Sequence, residues 1–254
     1  MWNGKTVSVI LASYREKNSI RAVIDDFFKT GVVDEVVVVD NNAEAGSAEE
    51  VKKTNARLIF EKRQGHGWAL RTGMREARSE YIILCEADGT FLPADVKKFL
   101  SYAEDFPVVF GTRTNTSLIG PGTAMFYLRR IADIFEAKLI EYLFWSDTMS
   151  DIGCTYQLLH RDVIPALSPY WWKGDSHFVT EIRLQVAAMA IPFVEIPVAF
   201  RKRVGESAAT GDFFKVAKWG VKLFLFIWTF WFRWLLTKIR RRPVPSAARS
   251  HRRS

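Results

Sequence analysis

Two carboxylates stand two residues apart in Glu86-Ala87-Asp88, directly after the apolar run Tyr81-Ile82-Ile83-Leu84-Cys85. Side chains alternate on an extended chain, so both acids face the same side. Such a pair can hold Mg²⁺ or Mn²⁺, hard cations that take a few carboxylates together with substrate phosphates. An ion there would neutralise a departing diphosphate. Taken alone, the triplet before Gly89 reads more readily as a solvated acidic turn. Its setting reverses that reading. Polar residues also follow two other apolar runs: Ala12-Ser13-Tyr14-Arg15-Glu16 after residues 7–11, and Asp40-Asn41-Asn42 after residues 36–39. Between them lies Arg63-Gln64-Gly65-His66-Gly67-Trp68-Ala69.

The elements that must position these groups follow from periodicity. Residues 7–11 and 36–39 are short continuous apolar runs, the pattern of strands buried on both faces. Further strands are expected at 57–60, 81–85 and 108–110. Ile20, Val23, Ile24, Phe27 and Phe28 fall on one helical face. A second helix is predicted at about 68–77, and a third opens at Pro93. Strand and helix alternate four times, which predicts a mostly parallel sheet flanked by helices. In such sheets ligands bind beyond the carboxyl ends of the strands, where the polar clusters stand. Past residue 115 the rhythm changes. Gly120-Pro121-Gly122 breaks the chain, and a long amphipathic stretch with Arg129 and Arg130 occupies 125–145. A mixed segment precedes a helix predicted at 178–190 and a strand at 191–200.

Charge and cysteine content narrow the setting. Of the net charge of +8, seven bases and no acid lie in residues 238–254, which leaves 29 bases against 28 acids in the other 237 residues. A nucleic-acid partner wants a basic face on the fold itself, so none is expected. A basic tail behind an aromatic-rich helix suits an anionic membrane surface. Cys85 and Cys154 stand alone, without a CxxC spacing, which predicts a reducing compartment, with Cys85 an inert small hydrophobe. The first residues carry neither the h-region nor the cleavage site of a secretory signal.

Together these residues resemble the family-2 glycosyltransferases, which use the Rossmann-like GT-A fold, and within them the dolichol- and polyprenyl-phosphate mannose synthases. The resemblance runs from about Val7 to Ser207. It implies an α/β domain over 1–211, with a nucleotide-sugar half (1–115) and an acceptor half (116–211). Ser13, Tyr14 and Glu16 look like the loop that contacts the nucleotide, although Ala12 and Arg15 replace the family's usual Pro and Asn. Asp40 resembles the acid that reads the base, and Gly65 and Gly67 the turn beside the donor. Glu86-Ala87-Asp88 occupies the place of the D-x-D motif. Ala87 then borders the donor, Asp88 is the safer metal ligand, and Glu86 departs from the usual Asp. Arg113, in Phe110-Gly111-Thr112-Arg113, is implied to face donor and acceptor phosphates. Asp151 and Thr155 belong to the acceptor side. Arg203 and Ser207, in Arg203-Val204-Gly205-Glu206-Ser207, belong to a loop that closes on the diphosphate. His66 and His177 show no metal or triad spacing and read as turn or satisfied polar positions; Trp171-Trp172 reads as core or membrane packing.

Residues 212–239 predict a third region, a helix whose Lys215, Lys218, Lys222, Thr229 and Arg233 form a narrow polar stripe interrupted by Phe226. Its uncharged run, residues 223–232, falls well short of the roughly 20 apolar residues of a spanning helix. The expectation is an amphipathic helix lying in the membrane interface. A tilted span, or packing against the domain or a second subunit, is the alternative. Residues 240–254 form a basic tail expected to lack fixed structure.

The implied reaction is inverting transfer of a sugar from a GDP- or UDP-linked donor to a polyprenyl phosphate at the cytoplasmic face of a membrane. Asp88, Arg113 and Arg203 would offset charge on the leaving diphosphate. The enzyme would be peripheral, and an oligomer is compatible with this. A phosphate acceptor is already an anion and needs no strong base. A hydroxyl acceptor needs a carboxylate, for which Asp151 and Glu181 are the candidates. That second reading, a membrane-tethered enzyme acting on a glycan hydroxyl, stays open at this stage. So does a third, a non-catalytic partner that keeps the fold.

Overall fold

The computed structural model describes residues 1–121, 123, 127–204 and 213–237. The elements run β1 (Val7–Ser13), α1 (Ile20–Lys29), β2 (Glu35–Asp40), α2 (Ser47–Lys52), β3 (Arg57–Phe60), α3 (His66–Glu76), β4 (Tyr81–Glu86), α4 (Val96–Tyr102) and β5 (Val108–Thr112). They continue with α5 (Tyr127–Phe144), β6 (Gln157–His160), α6 (Ile164–Leu167), α7 (Phe178–Ala188), β7 (Phe193–Pro197) and α8 (Phe213–Thr237). The last predicted strand is shorter than expected, because the chain takes positive φ at Ala190 and reaches the sheet only at Phe193.

The α/β reading with a mostly parallel sheet holds. Seven strands lie in the order β3-β2-β1-β4-β6-β5-β7. β1 is parallel to β2 and β4, β2 to β3, and β5 to β7. β6 is the exception, antiparallel to both neighbours. Strand alternation divides the core. Val7, Val9, Leu11, Val36 and Val38 meet α1, α2 and α4 on one face, whereas Ile10, Val37 and Val39 meet α3, α5, α7 and α8 on the other. Burial of each such side chain contributes roughly 1.5–3 kcal/mol, so the central strands anchor the fold.

The reversed strand β6 was not expected, and it matters for the site. Because it runs against β4 and β5, the residues before it, Gly153 to Tyr156, arrive at the carboxyl edge of the parallel strands rather than at the opposite edge. That reversal delivers Thr155 to the tip of β4, where its hydroxyl donates to Glu86 Oε1 at 2.8 Å.

The C-terminal helix packs on the domain along one face. Leu223, Phe226, Ile227 and Phe230 of α8 are buried in the main core, beside Ala137 and Ile140 of α5 and α7 residues such as Phe178. Packing on the domain, weighed as an alternative, thus takes one face of the helix, and Phe226 interrupts the polar stripe because it is a core residue. Lys222, Thr229 and Arg233 lie exposed beside it, and Arg233 sits 4.1 Å from the Trp172 ring. Another face leaves Val221, Leu225, Phe232, Leu235 and Leu236 exposed. Among the described residues no helix is long and apolar enough to cross a membrane. Residues 240–254 and Lys238 lie outside the described residues.

Candidate active site

The carboxyl ends of β1, β4 and β5 open into a cleft of about 410 Å³. One side is made by strand tips: Ser13, Tyr14 and Glu16 after β1, Glu86, Ala87, Asp88 and Thr90 at the end of β4, and Arg113, Gly153 and Thr155 around β5 and β6. The other side is helical, with Arg129, Ala132, Asp133 and Glu136 of α5 and Gly220 of α8. Arg201 and Arg203 border it as well.

At the β4 tip the acids are held firmly. Asp88 is 2% exposed. Its Oδ1 accepts from the Thr90 backbone N–H at 3.0 Å and from the Thr90 hydroxyl at 2.6 Å. Arg203 bridges two of the acids, with its Nη2 donating to Glu16 Oε1 at 2.7 Å and its Nε 3.4 Å from Asp88 Oδ2. The second Glu16 oxygen accepts from the backbone N–H groups of Tyr14 and Arg15 at 2.6 and 2.8 Å. Burial, then the charge of Glu86, pushes the Asp88 carboxyl up to about 7, against the hydrogen bonds from Thr90 and the charge of Arg203. A carboxylate in that state gains from a nearby divalent cation, because the ion favours its charged form. Glu86 and Asp88 therefore suit a hard ion that completes its shell with phosphate oxygens. No group of three or more His, Cys, Asp or Glu able to hold a metal by itself occurs among the described residues. A two-carboxylate site of this kind does not require one.

The backbone around Asp88 also ties the 201–204 segment to the site. Arg201 N–H donates to Thr90 O at 2.7 Å and Val204 N–H to Asp88 O at 3.1 Å. Ser207, placed on this segment's continuation by the sequence, lies outside the described residues.

Arg113 and Asp151 are placed differently from the expectation. The guanidinium is engaged side-on: Nε donates to Asp151 Oδ2 and Nη2 to Oδ1, both at 2.8 Å, and the Arg113 backbone N–H adds a third bond at 2.9 Å. Although burial pushes it up, Asp151 is held well below its ordinary value by the charge and hydrogen bonds of Arg113. Asp151 is fully buried and absent from the cleft lining. A base must reach the proton that it abstracts, so this carboxylate serves to fix Arg113 at the rim. Glu181 is corrected on the same ground. It is fully buried in α7, and its two oxygens accept from the backbone N–H groups of Trp172 at 2.9 Å and Lys173 at 3.0 Å.

Three residues expected on the donor side lie outside the cleft lining. Asp40 Oδ1 accepts from the Ala43 backbone N–H at 2.8 Å, which closes the turn after β2. Gly65, at φ +145°, starts α3 against the Gly174 carbonyl, where a Cβ would collide. At Gly67 a Cβ would stand 2.6 Å from the Phe178 Cβ and 2.7 Å from the Asp175 carbonyl oxygen. The glycines let α3 dock on the 174–178 segment. Neither they nor Asp40 line the cleft.

Other cleft residues were given no ligand role in the sequence. His66 lines the cleft, and burial holds its imidazole below the ordinary value against the pull of Glu16 and Asp88. Asn41 does too; its side-chain amide donates to the carbonyls of Glu61 and Arg63 while Gly65 N–H donates to its Oδ1. Asp133 and Glu136 could have been suspected from two acids three apart on a helix whose neighbours are largely apolar.

Comparison with known proteins agrees with this geometry. A family model described as "Glycosyl transferase family 2" matches residues 8–166. The chain is 25% identical over 203 residues to the dolichyl-phosphate hexose transferase of Haloferax volcanii, covering 79% of this chain and 85% of the relative. It is 23% identical to the dolichyl-phosphate beta-glucosyltransferase of Saccharomyces cerevisiae, covering 84% and 72%. Among solved structures, the glucosyl-3-phosphoglycerate synthase of Mycobacterium tuberculosis, in complex with Mn²⁺, uridine diphosphate and phosphoglyceric acid, matches with a TM-score of 0.65. Identity there is 14%, over 90% of this chain and 79% of the other, so that likeness concerns the fold.

Proposed function

The chain belongs to glycosyl transferase family 2, and from that premise we propose that it moves a hexose from a nucleotide diphosphate sugar to a polyprenyl phosphate, with inversion at the anomeric carbon. The observation that carries this reading is the β4 tip, where Arg203 bridges Glu16 and Asp88 and Glu86 lines the same cleft of about 410 Å³. Three carboxylates and one guanidinium leave a local excess of negative charge. A second cation would relieve it and attract a diphosphate. Glu86 and Asp88 would hold Mg²⁺ or Mn²⁺, which supplies charge neutralisation for the leaving group.

This chain's own groups do the rest. Arg203, on the segment tied to Asp88 and Thr90, can follow the diphosphate as charge builds on it. Thr155 orients Glu86 through its hydroxyl. Arg113 stands at the rim as a fixed cation that Asp151 prevents from swinging away. A phosphate acceptor brings its own nucleophilic oxygen, consistent with a site whose expected bases, Asp151 and Glu181, are enclosed and engaged.

The lipid acceptor is supported by the two dolichyl-phosphate relatives and by the helical side of the cleft. The helices that line it, α5 and α8, also carry Phe135 and Tyr142, with Trp145 just past the end of α5, and Leu225, Phe232 and Leu236, all exposed. Aromatic and aliphatic side chains of this kind favour the boundary between headgroups and acyl chains. We place this surface, with the basic residues that follow α8 in sequence, against an anionic cytoplasmic leaflet, so that a lipid-borne phosphate enters from the α5–α8 side. Incubation of the protein with radiolabelled GDP- and UDP-hexoses, a polyprenyl phosphate and Mn²⁺ or Mg²⁺ should move label into the organic phase. Label recovered only on a glycan would point to the hydroxyl-acceptor reading, and no donor binding would point to a non-catalytic role.

A further inference from the structure

On the helical side of the cleft, Asp133 and Glu136 lie one helical turn apart on α5, 5% and 4% exposed, and both line the cavity. Neither carboxylate takes a hydrogen bond from any described residue, and Asp133 Oδ2 is fully enclosed without a partner. Arg129 Nε stands 3.9 Å from Asp133 Oδ2, too far for a hydrogen bond, and the charges of Arg113 and Arg183 also reach Asp133. Gly220 of α8 passes close by, since a Cβ there would come 4.0 Å from Glu136 Oε1. Buried acids with unmade hydrogen bonds cost stability, and helix packing alone would be served better by apolar residues. Such a pair persists where a ligand completes it.

We propose that Asp133 and Glu136 form a subsite that reads the hydroxyl groups of the hexose carried by the nucleotide donor. This rests on the glycosyltransfer reading, and it names residues that set which sugar is accepted. Charge selects among the groups that enter the cleft. The diphosphate and the acceptor phosphate are anions, which two acids repel, whereas the hexose is a neutral polyol. Chemistry agrees with charge. Burial, then the charge of Asp133, raises Glu136 to about 8, and burial, then the charge of Asp151, raises Asp133 to about 6. Near neutral pH one carboxyl keeps its proton and donates while the other accepts. A sugar hydroxyl is at once a donor and an acceptor, so it matches both. A metal is the poorer occupant, because the two acids have no third ligand among the described residues.

Calorimetry with Mn²⁺ tests the assignment without depending on the acceptor. The affinity of the preferred GDP- or UDP-hexose is compared with that of analogues lacking one hydroxyl, in wild type, Asp133→Ala, Glu136→Leu and the conservative Glu136→Gln. A site built to bond a hydroxyl discriminates strongly against its absence, so one analogue should bind wild type at least about tenfold more weakly. In Asp133→Ala or Glu136→Leu that ratio should fall below about threefold, with Glu136→Gln restoring part of it. Glu136→Leu should melt no lower than wild type, because an unpartnered buried acid is removed. Ratios unchanged in every variant would overturn the subsite while leaving the glycosyltransfer reading intact. A lower melting temperature in both Glu136 variants would also overturn it, by showing a structural role. Wild type binding no hexose nucleotide at all would remove the subsite and the glycosyltransfer reading together.

Discussion

The two sides of the cleft treat their buried acids in opposite ways. On the strand side, Asp88 is bonded to Thr90, Glu86 to Thr155, Glu16 to Arg203 and two backbone N–H groups, and Asp151 to Arg113. On the helix side, Asp133 and Glu136 take no hydrogen bond from any described residue, and Asp133 Oδ2 is enclosed without one. Satisfied acids are fixed in place before any ligand arrives, which suits groups that must present charge to a metal or a diphosphate. Unsatisfied acids leave bonds for something else to make. The cleft thus joins a preorganised electrostatic wall to a wall whose bonding is incomplete.

The sharpest test of that contrast breaks a pair on the strand side. Arg113→Met leaves Asp151 buried and uncompensated, and should destabilise the protein by about 3–5 kcal/mol in denaturant unfolding. A loss below about 1 kcal/mol would mean that the pair is solvated and the two walls do not differ as described. Arg203→Ala removes a cation bound to acids rather than buried with one. Turnover should drop roughly tenfold to a thousandfold while the melting temperature stays close to wild type; an equal loss of stability would make Arg203 a structural residue. Gly67→Ala probes the scaffold behind the strand side. Its Cβ meets Phe178 and Asp175, so unfolding should become easier by about 1–3 kcal/mol.

The smallest effect is a pH slope from the helix side. In the native state Glu136 holds its proton up to about 8, against 4.5 for its ordinary value. Between those values the native state binds more proton than the unfolded chain, so stability is greatest below the window and is lost as pH rises through it. Asp88 and Glu181, both raised to about 7, contribute with the same sign. Glu136→Gln should therefore flatten, not abolish, the decline in melting temperature between about pH 5 and 8, by on the order of a few degrees. An unaltered slope would show that Glu136 is better solvated than its burial suggests.

What the sequence revealed follows the same division. The strand side was legible because apolar runs of four or five residues end in polar clusters, and an open parallel sheet puts those ends together. Glu86, Asp88, Ser13, Tyr14 and Glu16 stand in those clusters, Thr155 was implied by the family resemblance alone, and all line one cleft. The Arg113–Asp151 pair was not legible as a pair. The residues are 38 apart, and each was assigned a separate ligand contact until the fold showed them facing each other. β6 was missed because Gln157-Leu158-Leu159-His160 is too short to show a period and lies in an irregular stretch. The α5 acids went unnoticed for another reason. Two acids three apart on an amphipathic helix look like its solvated face, and only the packing of α8 over α5 turns that face inward. For α8 itself, composition announced an aromatic helix but could not say which aromatics the domain would bury.

Everything assigned to the strand side depends on Asp88 helping to seat a divalent ion against a sugar nucleotide's diphosphate. Donor binding measured by calorimetry with Mn²⁺, after chelation, and in Asp88→Ala addresses that dependence directly. Chelation and the substitution should each weaken binding by about tenfold or more, with no further loss when combined, while the variant melts near wild type. Donor affinity indifferent to both the ion and Asp88 would contradict the account.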